Sequence, residues 1–230
     1  MNGDPDRRVR ARDLVQVAIS AIVAGTVAVL FIYLTTISAL GQSPTTIVDE
    51  WASVQPPPPP AVRAVTVDSR TTAFLILDIQ QQNCNMQRRP RCVASIPRIQ
   101  ALLTRANARG MPVIYSTGPG GTVADIWWQV RPLDGEPVVI SGVDKFLGTD
   151  LERVLRERGI RTVIVVGTAA HGAVLHTGSS AAMRGFGVIV PVDGLSAESL
   201  YIEQYTVWHL ANAPTVGARV TLTRTDLISF

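Results

Sequence analysis

Asp78 closes the apolar run 72-TAFLILD-78, and Gly167 closes a second run, 161-RTVIVVG-167, ahead of a turn of small residues that contains His171. A carboxylate at the end of a buried strand costs desolvation free energy unless it is hydrogen-bonded, paired or functional. Asp78 is therefore a candidate acid/base group, with a capping or loop hydrogen bond as the plainer alternative. In 167-GTAAHGAV-174, successive backbone N–H groups lie at a helix start. Free amides there, with the helix dipole, stabilise negative charge developing on a bound oxygen. The small side chains leave room for a substrate. His171 suits an acid, a base or a donor, and equally a structural bond at a helix start. His171 and His176 are five residues apart and do not share a helix face, which argues against a paired metal site. His176 and His209 read as packing or surface residues, and no metal is expected.

Cys84 and Cys92 bracket the polar loop NMQRRPR. In an oxidising compartment they are expected to form a disulfide. Free thiols at these positions lack the neighbouring histidines of a metal site. Trp127 and Trp128 follow the flexible loop 118-GPGGTVAD-125, which is placed to lie over a crevice, although ordinary packing accounts for them too.

These residues need elements to hold them. Beyond the two runs above, strands are predicted over 111–117, 136–140, 187–193 and 218–228. Helices are predicted over 96–110, 148–160 with Thr149 as N-cap, 172–186 and 198–213. Strands apolar throughout and alternating with helices indicate an α/β fold, a three-layer α/β/α sandwich with a mainly parallel, Rossmann-like sheet. Ligands of such sheets bind beyond the carboxyl ends of the strands, where Asp78 and the 167–173 turn fall. No Gly-x-Gly-x-x-Gly follows the first strand and no Gly-Lys-Ser/Thr occurs, so no nucleotide cofactor is expected.

The chain is 230 residues long and 47% hydrophobic, enough for one sizeable core plus extensions. Arg7, Arg8, Arg10 and Arg12 lie in a basic segment, 1–13, and no basic stripe with interleaved aromatics follows, so nucleic acid is not an expected partner. Residues 14–40 carry no charge and exceed the roughly 20 residues that span a bilayer. They are expected to be a transmembrane anchor or a long signal peptide cut near Ala39-Leu40-Gly41, with a cytoplasmic N-terminus and an exported remainder. Residues 41–70, with five prolines at 56–60, read as a Pro-rich linker, and 71–230 as the globular domain.

Three landmarks in order, LILDIQ (75–80), FLGTDLERVLRERGI (146–160) and VIVVGTAAHGAV (163–174), followed by VPVDGLSA (190–197), resemble the isochorismatase-like superfamily, which includes cysteine hydrolases and amidases. The resemblance covers roughly 71–228. It implies a six-stranded parallel sheet and an active site of aspartate, lysine and cysteine, with amides at the cysteine's turn as oxyanion hole. Asp78 falls on the aspartate and Gln80 on a glutamine two positions later. Ala173 stands where the cysteine is expected, so a covalent acyl-enzyme is excluded at that position. Ile140 stands at the usual lysine position, and Lys145 is the nearby candidate to reach the same space. The Ala170-His171 pair resembles the cysteine-free isochorismatases, in which the aspartate works as proton donor.

The expected function is an exported hydrolase of a small molecule. Asp78, Lys145 and His171 are its catalytic residues, and Gln80, Ala170, Gly172 and Ala173 line the substrate. The alternative is a catalytically inactive binding or scaffold domain. A homo-oligomer is the expected assembly.

Overall fold

A computed structural model describes residues 45–230 and the isolated positions Gln16 and Thr26. The expected basic segment 1–13 and the bulk of the expected membrane segment 14–40 lie outside the described residues. Among the described residues no helix is long and apolar enough to cross a membrane. The chain divides into two compact units, Met1–Pro58 and Pro59–Phe230. In the first, the described residues include one exposed 3-10 turn, Trp51–Ser53.

The second unit contains β1 (Val65–Thr66), β2 (Thr72–Leu77), α1 (Pro90–Asn107), β3 (Val113–Thr117), β4 (Val138–Ile140), α2 (Leu151–Glu157), β5 (Thr162–Thr168), α3 (Leu175–Met183), β6 (Gly187–Pro191), β7 (Leu195–Ser196), α4 (Leu200–Asn212), β8 (Val220–Thr223) and β9 (Ile228–Ser229). The main sheet has the order β4-β3-β2-β5-β6-β8, and every pairing in it is parallel. Short β7 also pairs with the end of β5, at Gly167 and Thr168.

Side chains of a strand alternate between faces, and β2 shows what that does in a sheet covered on both sides. All six of its residues are buried. Ala73, Leu75 and Leu77 pack with α2, α3 and α4 through Leu155, Ala181 and Leu210. Phe74 and Ile76 pack with α1 through Ile99 and Leu102. The result is helices on both faces of one parallel sheet.

Four boundaries differ from the sequence expectation. Helix α1 starts at Pro90 rather than at residue 96, because proline is suited to the first helical position, where its missing N–H costs nothing. Helix α2 begins after Asp150, which makes no side-chain cap, while the Thr149 hydroxyl accepts the Leu151 amide at 3.2 Å. The final strand is interrupted by a 3-10 turn, Thr225–Leu227, whose Thr225 amide and hydroxyl donate to Asp193 at 2.8 and 2.7 Å. The end of the expected linker belongs to the domain, since β1 pairs with β9 and the Arg63 amide donates to Leu222 O at 3.0 Å.

Candidate active site

Asp78 directly follows β2 and has φ 54°. Aspartate is among the few non-glycine residues that tolerate this left-handed region. The turn ends the strand and presents the carboxylate at the carboxyl edge of the sheet. Its Oδ1 accepts a hydrogen bond from Ser116 Oγ at 2.7 Å, and its Oδ2 accepts one from Lys145 Nζ at 2.9 Å. Ser116 comes from the neighbouring strand β3, whose five residues are all buried.

The Lys145 side chain is 1% exposed, against 13% for that of Asp78. Besides Asp78, its ammonium donates to Gly142 O at 2.7 Å and Ser141 O at 3.2 Å. An ammonium has three donors, and here each has an acceptor. A buried ion pair is tolerated only with such complete satisfaction, because desolvating two charges offsets much of their attraction.

The loop 141–149 explains how a lysine five residues beyond the expected position reaches the aspartate. Ile140, at that expected position, ends β4 and is 59% exposed. The chain then folds back over α3. The fully buried Thr177 hydroxyl of that helix accepts the Lys145 amide at 3.2 Å and donates to Val143 O at 3.3 Å. Thr149 Oγ1 donates to Lys145 O at 2.5 Å, and Ser141 Oγ donates to Asp144 O at 2.8 Å. The Asp144 carboxylate accepts from the Phe146 amide at 2.9 Å and from Ser180 Oγ, also on α3, at 2.8 Å. Arg184 donates to the Ser180 hydroxyl and, at 3.0 Å, to Glu152. Every turn of the loop is thus tied to helices α2 and α3.

On the other side of Asp78 lies the turn after β5. Gly167 has φ 135°, and a Cβ there would stand 2.1 Å from the Leu77 carbonyl oxygen. Only glycine lets the end of β5 pass this close to the end of β2. A cis peptide joins Thr168 to Ala169, and Ala170–Val174 forms one π-helical turn that leads into α3. Ala170 and Ala173 are 0% and 2% exposed, packed in the core on the α3 side of the sheet. The Gly172 amide donates to Ala169 O at 3.0 Å. A Cβ on Gly172 would meet Val143 at 3.6 Å, so the lysine loop and this turn face each other.

His171 is exposed on the turn. It lies near Glu198, which follows β7 and receives Arg89 Nε at 2.8 Å and Nη2 at 2.5 Å. Burial works to raise the Glu198 carboxyl. Hydrogen bonds from Arg89 and from the Glu198 backbone, with the charges of Arg89 and of nearby His171, hold it below its ordinary 4.5.

Gln80 is 2% exposed and braces the loop over the crevice. Its Oε1 accepts the Gly118 amide at 2.9 Å and Asn83 Nδ2 at 3.3 Å, and a Cβ at Gly121 would strike its Nε2 at 2.1 Å. Trp127 donates from Nε1 to Cys84 O at 2.7 Å, whereas Trp128 is 69% exposed. Cys84 and Cys92 form a disulfide with a Cα–Cα distance of 5.3 Å, and both are fully buried. His176 is exposed, and the His209 ring centroid stands 5.9 Å from that of Tyr205. Among the described residues no cluster of His, Cys, Asp and Glu is arranged to hold a metal ion.

The structure thus brings Asp78, Lys145 and the 168–173 turn together and sets Gln80 behind the loop. Three contributors escaped the sequence reading. Ser116 carries the same signal as Asp78, a polar residue near the end of a buried strand. Thr177 and the Arg89–Glu198 pair carry no local signal, because their partners are distant in sequence.

The sequence and fold are similar to those of known proteins. The chain is 30% identical over 145 residues to N-carbamoylsarcosine amidase of Arthrobacter sp, covering 51% of this chain and 55% of that one, so it spans about half the length of that relative. It is 30% identical over 142 residues to the secreted isochorismatase effector Isc1 of Verticillium dahliae, covering 56% and 75%. A cysteine hydrolase from Pseudomonas syringae pv. phaseolicola 1448A has the same fold, with TM-score 0.63 at 20% identity over 74% of this chain and 95% of that one. An isochorismatase family protein from Desulfovibrio vulgaris gives TM-score 0.62 at 22% identity over 68% and 95%. The isochorismatase domain matches residues 72–225, from the first residue of β2 to the turn after β8, and the chain belongs to the isochorismatase domain family.

Proposed function

We propose that this domain is a hydrolase of a small molecule that works by acid/base catalysis on Asp78, without a covalent intermediate. The observation that carries this reading is the 2.9 Å ion pair between Lys145 and Asp78, formed although the lysine comes from an unexpected backbone position. A carboxylate oxygen has two lone pairs, so each Asp78 oxygen retains one after bonding Ser116 or Lys145. Asp78 therefore starts the cycle as proton acceptor. It takes a proton from water as the water oxygen attacks the substrate, and returns that proton to the departing group. Lys145 fixes the carboxylate and compensates its charge. His171, at the open side of the turn, is placed to bond the substrate, and the Ala173 amide is the candidate donor to the developing oxyanion, since the Gly172 amide is engaged by Ala169. The buried disulfide and the likeness to a secreted relative support an exported location.

Hydrolysis of a panel of esters, amides and enol ethers by wild type and Asp78→Asn tests the proposal. Loss of a positioned acid/base group lowers turnover by about 100- to 10,000-fold. Equal turnover by the variant sinks the reading. Ala173 favours a second one, because a packed methyl group occupies the position expected for a nucleophile. In that reading the domain binds a small molecule without turning it over, and ligand binding without hydrolysis of any panel member would show it.

A further inference from the structure

The charges and apolar side chains around the Asp78–Lys145 pair point to a class of substrate. Five segments meet at this edge of the sheet: 78–84 after β2, 117–122 at the end of β3, 141–147 after β4, 168–174 at the end of β5, and 195–199 through β7. Together they contain three carboxylates, Asp78, Asp144 and Glu198, and a single lysine or arginine, Lys145. All three donors of that lysine are committed, to Asp78 and to the carbonyls of Ser141 and Gly142. The arginine that reaches in from outside these segments, Arg89, is held by Glu198 with two hydrogen bonds. A carboxylate or phosphate on a substrate would shed its water here and find no lysine or arginine of these segments free to receive it, with carboxylates alongside and the exposed His171 shared with Glu198.

The same edge exposes apolar surface. On and beside the lysine loop, Ile140 is 59%, Val143 52% and Leu147 73% exposed. Val143 faces the turn that carries the proposed oxyanion donor, since its Cγ1 would be 3.6 Å from a Cβ on Gly172. Of these, Val143 stands beside the proposed site, and an apolar side chain exposed there is surface that a ligand can cover.

We infer that the substrate is an uncharged ester or amide with an apolar substituent, and that Val143 is the residue that selects it. This rests on the hydrolase reading above. The substrate's apolar group lies against Val143 while its carbonyl oxygen points at the turn.

Matched esters and amides that differ only in carrying a methyl, a carboxylate or an ammonium group test the inference through kcat/KM. The methyl member is expected to exceed both charged members by at least about tenfold, the discrimination available from an apolar pocket. Val143→Ala is expected to lower kcat/KM about tenfold more for the methyl member than for either charged member. A carboxylate or ammonium member processed as well as the methyl member overturns the inference, as does equal loss across the series in Val143→Ala. Non-hydrolysable ketone analogues of the same three kinds, scored by the rise they cause in the melting temperature of the wild-type domain, keep the tests separate. Preferential stabilisation by the methyl ketone without any Asp78-dependent hydrolysis keeps the ligand class and removes the hydrolase. Asp78-dependent hydrolysis that prefers the carboxylate member removes the ligand class and keeps the hydrolase.

Discussion

The two walls that flank Asp78 are built on opposite plans. The loop 141–149 is polar inside: its lysine is fully bonded, Thr177 and Thr149 hold its backbone, and Ser180 holds the Asp144 carboxylate. The turn 168–174 is lean, with alanines packed into the core and one exposed histidine. The first wall fixes a charge in one place, and the second offers backbone and space. Their difference teaches that the proposed acid/base half of the site has close structural support, whereas residue 173, where the family resemblance implies a nucleophile, is packed in the core.

The contrast breaks most directly at Lys145. Lys145→Met leaves Asp78 buried without its counter-charge and is expected to lower stability by about 3–5 kcal/mol in denaturant unfolding. A change below 1 kcal/mol, the usual value of an exposed pair, would mean that the pair is solvated in solution. Thr177→Val removes the acceptor of the buried Lys145 amide and the donor to the part-buried Val143 carbonyl. It is expected to cost about 1–3 kcal/mol and to lower turnover, with both restored by Thr177→Ser. Equal defects in Val and Ser variants would show that packing, not the hydroxyl, matters.

Ala173→Cys sharpens the comparison from the other wall. A thiol in this packed site is expected to cost about 1 kcal/mol, to resist iodoacetamide in the native protein, and to give no acyl adduct by intact mass. Rapid alkylation would show that the position opens to the crevice after all. The smallest effect is expected at Glu198. Its folded carboxyl is held below 4.5, so the Arg89 pair stabilises the protein fully above that value and loses this contribution as the pH falls through the folded value. Glu198→Gln should therefore flatten the acid limb of the stability profile below about pH 4.5, with an unchanged limb counting against the pair.

Much of the fold is legible because its signals are local. The apolar runs of β2 and β5, the glycines that end them and the helices between require only burial on both faces of a sheet. The start of α1 was misplaced because Pro90 reads alike as loop or first helical residue. At the site, the terminal position of Asp78 pointed to chemistry, and the family resemblance puts Ala173 where it implies a cysteine. The expected disulfide, resting on two cysteines and a compartment, is present. Gln80 was legible as a residue near the site but not as a brace, since its partner Gly118 is 38 residues away.

The sequence by itself determined the parallel α/β architecture, the position of Asp78 at a strand end and the absence of a side-chain nucleophile at residue 173, because each depends on residue type and spacing along one strand or turn. The tertiary structure alone decided that Lys145 meets Asp78. That contact spans 67 residues and depends on how α3 folds the 141–149 loop back. No local pattern encodes it, because the bonds that place the lysine are made by its backbone and by the hydroxyl of Thr177, 32 residues further on.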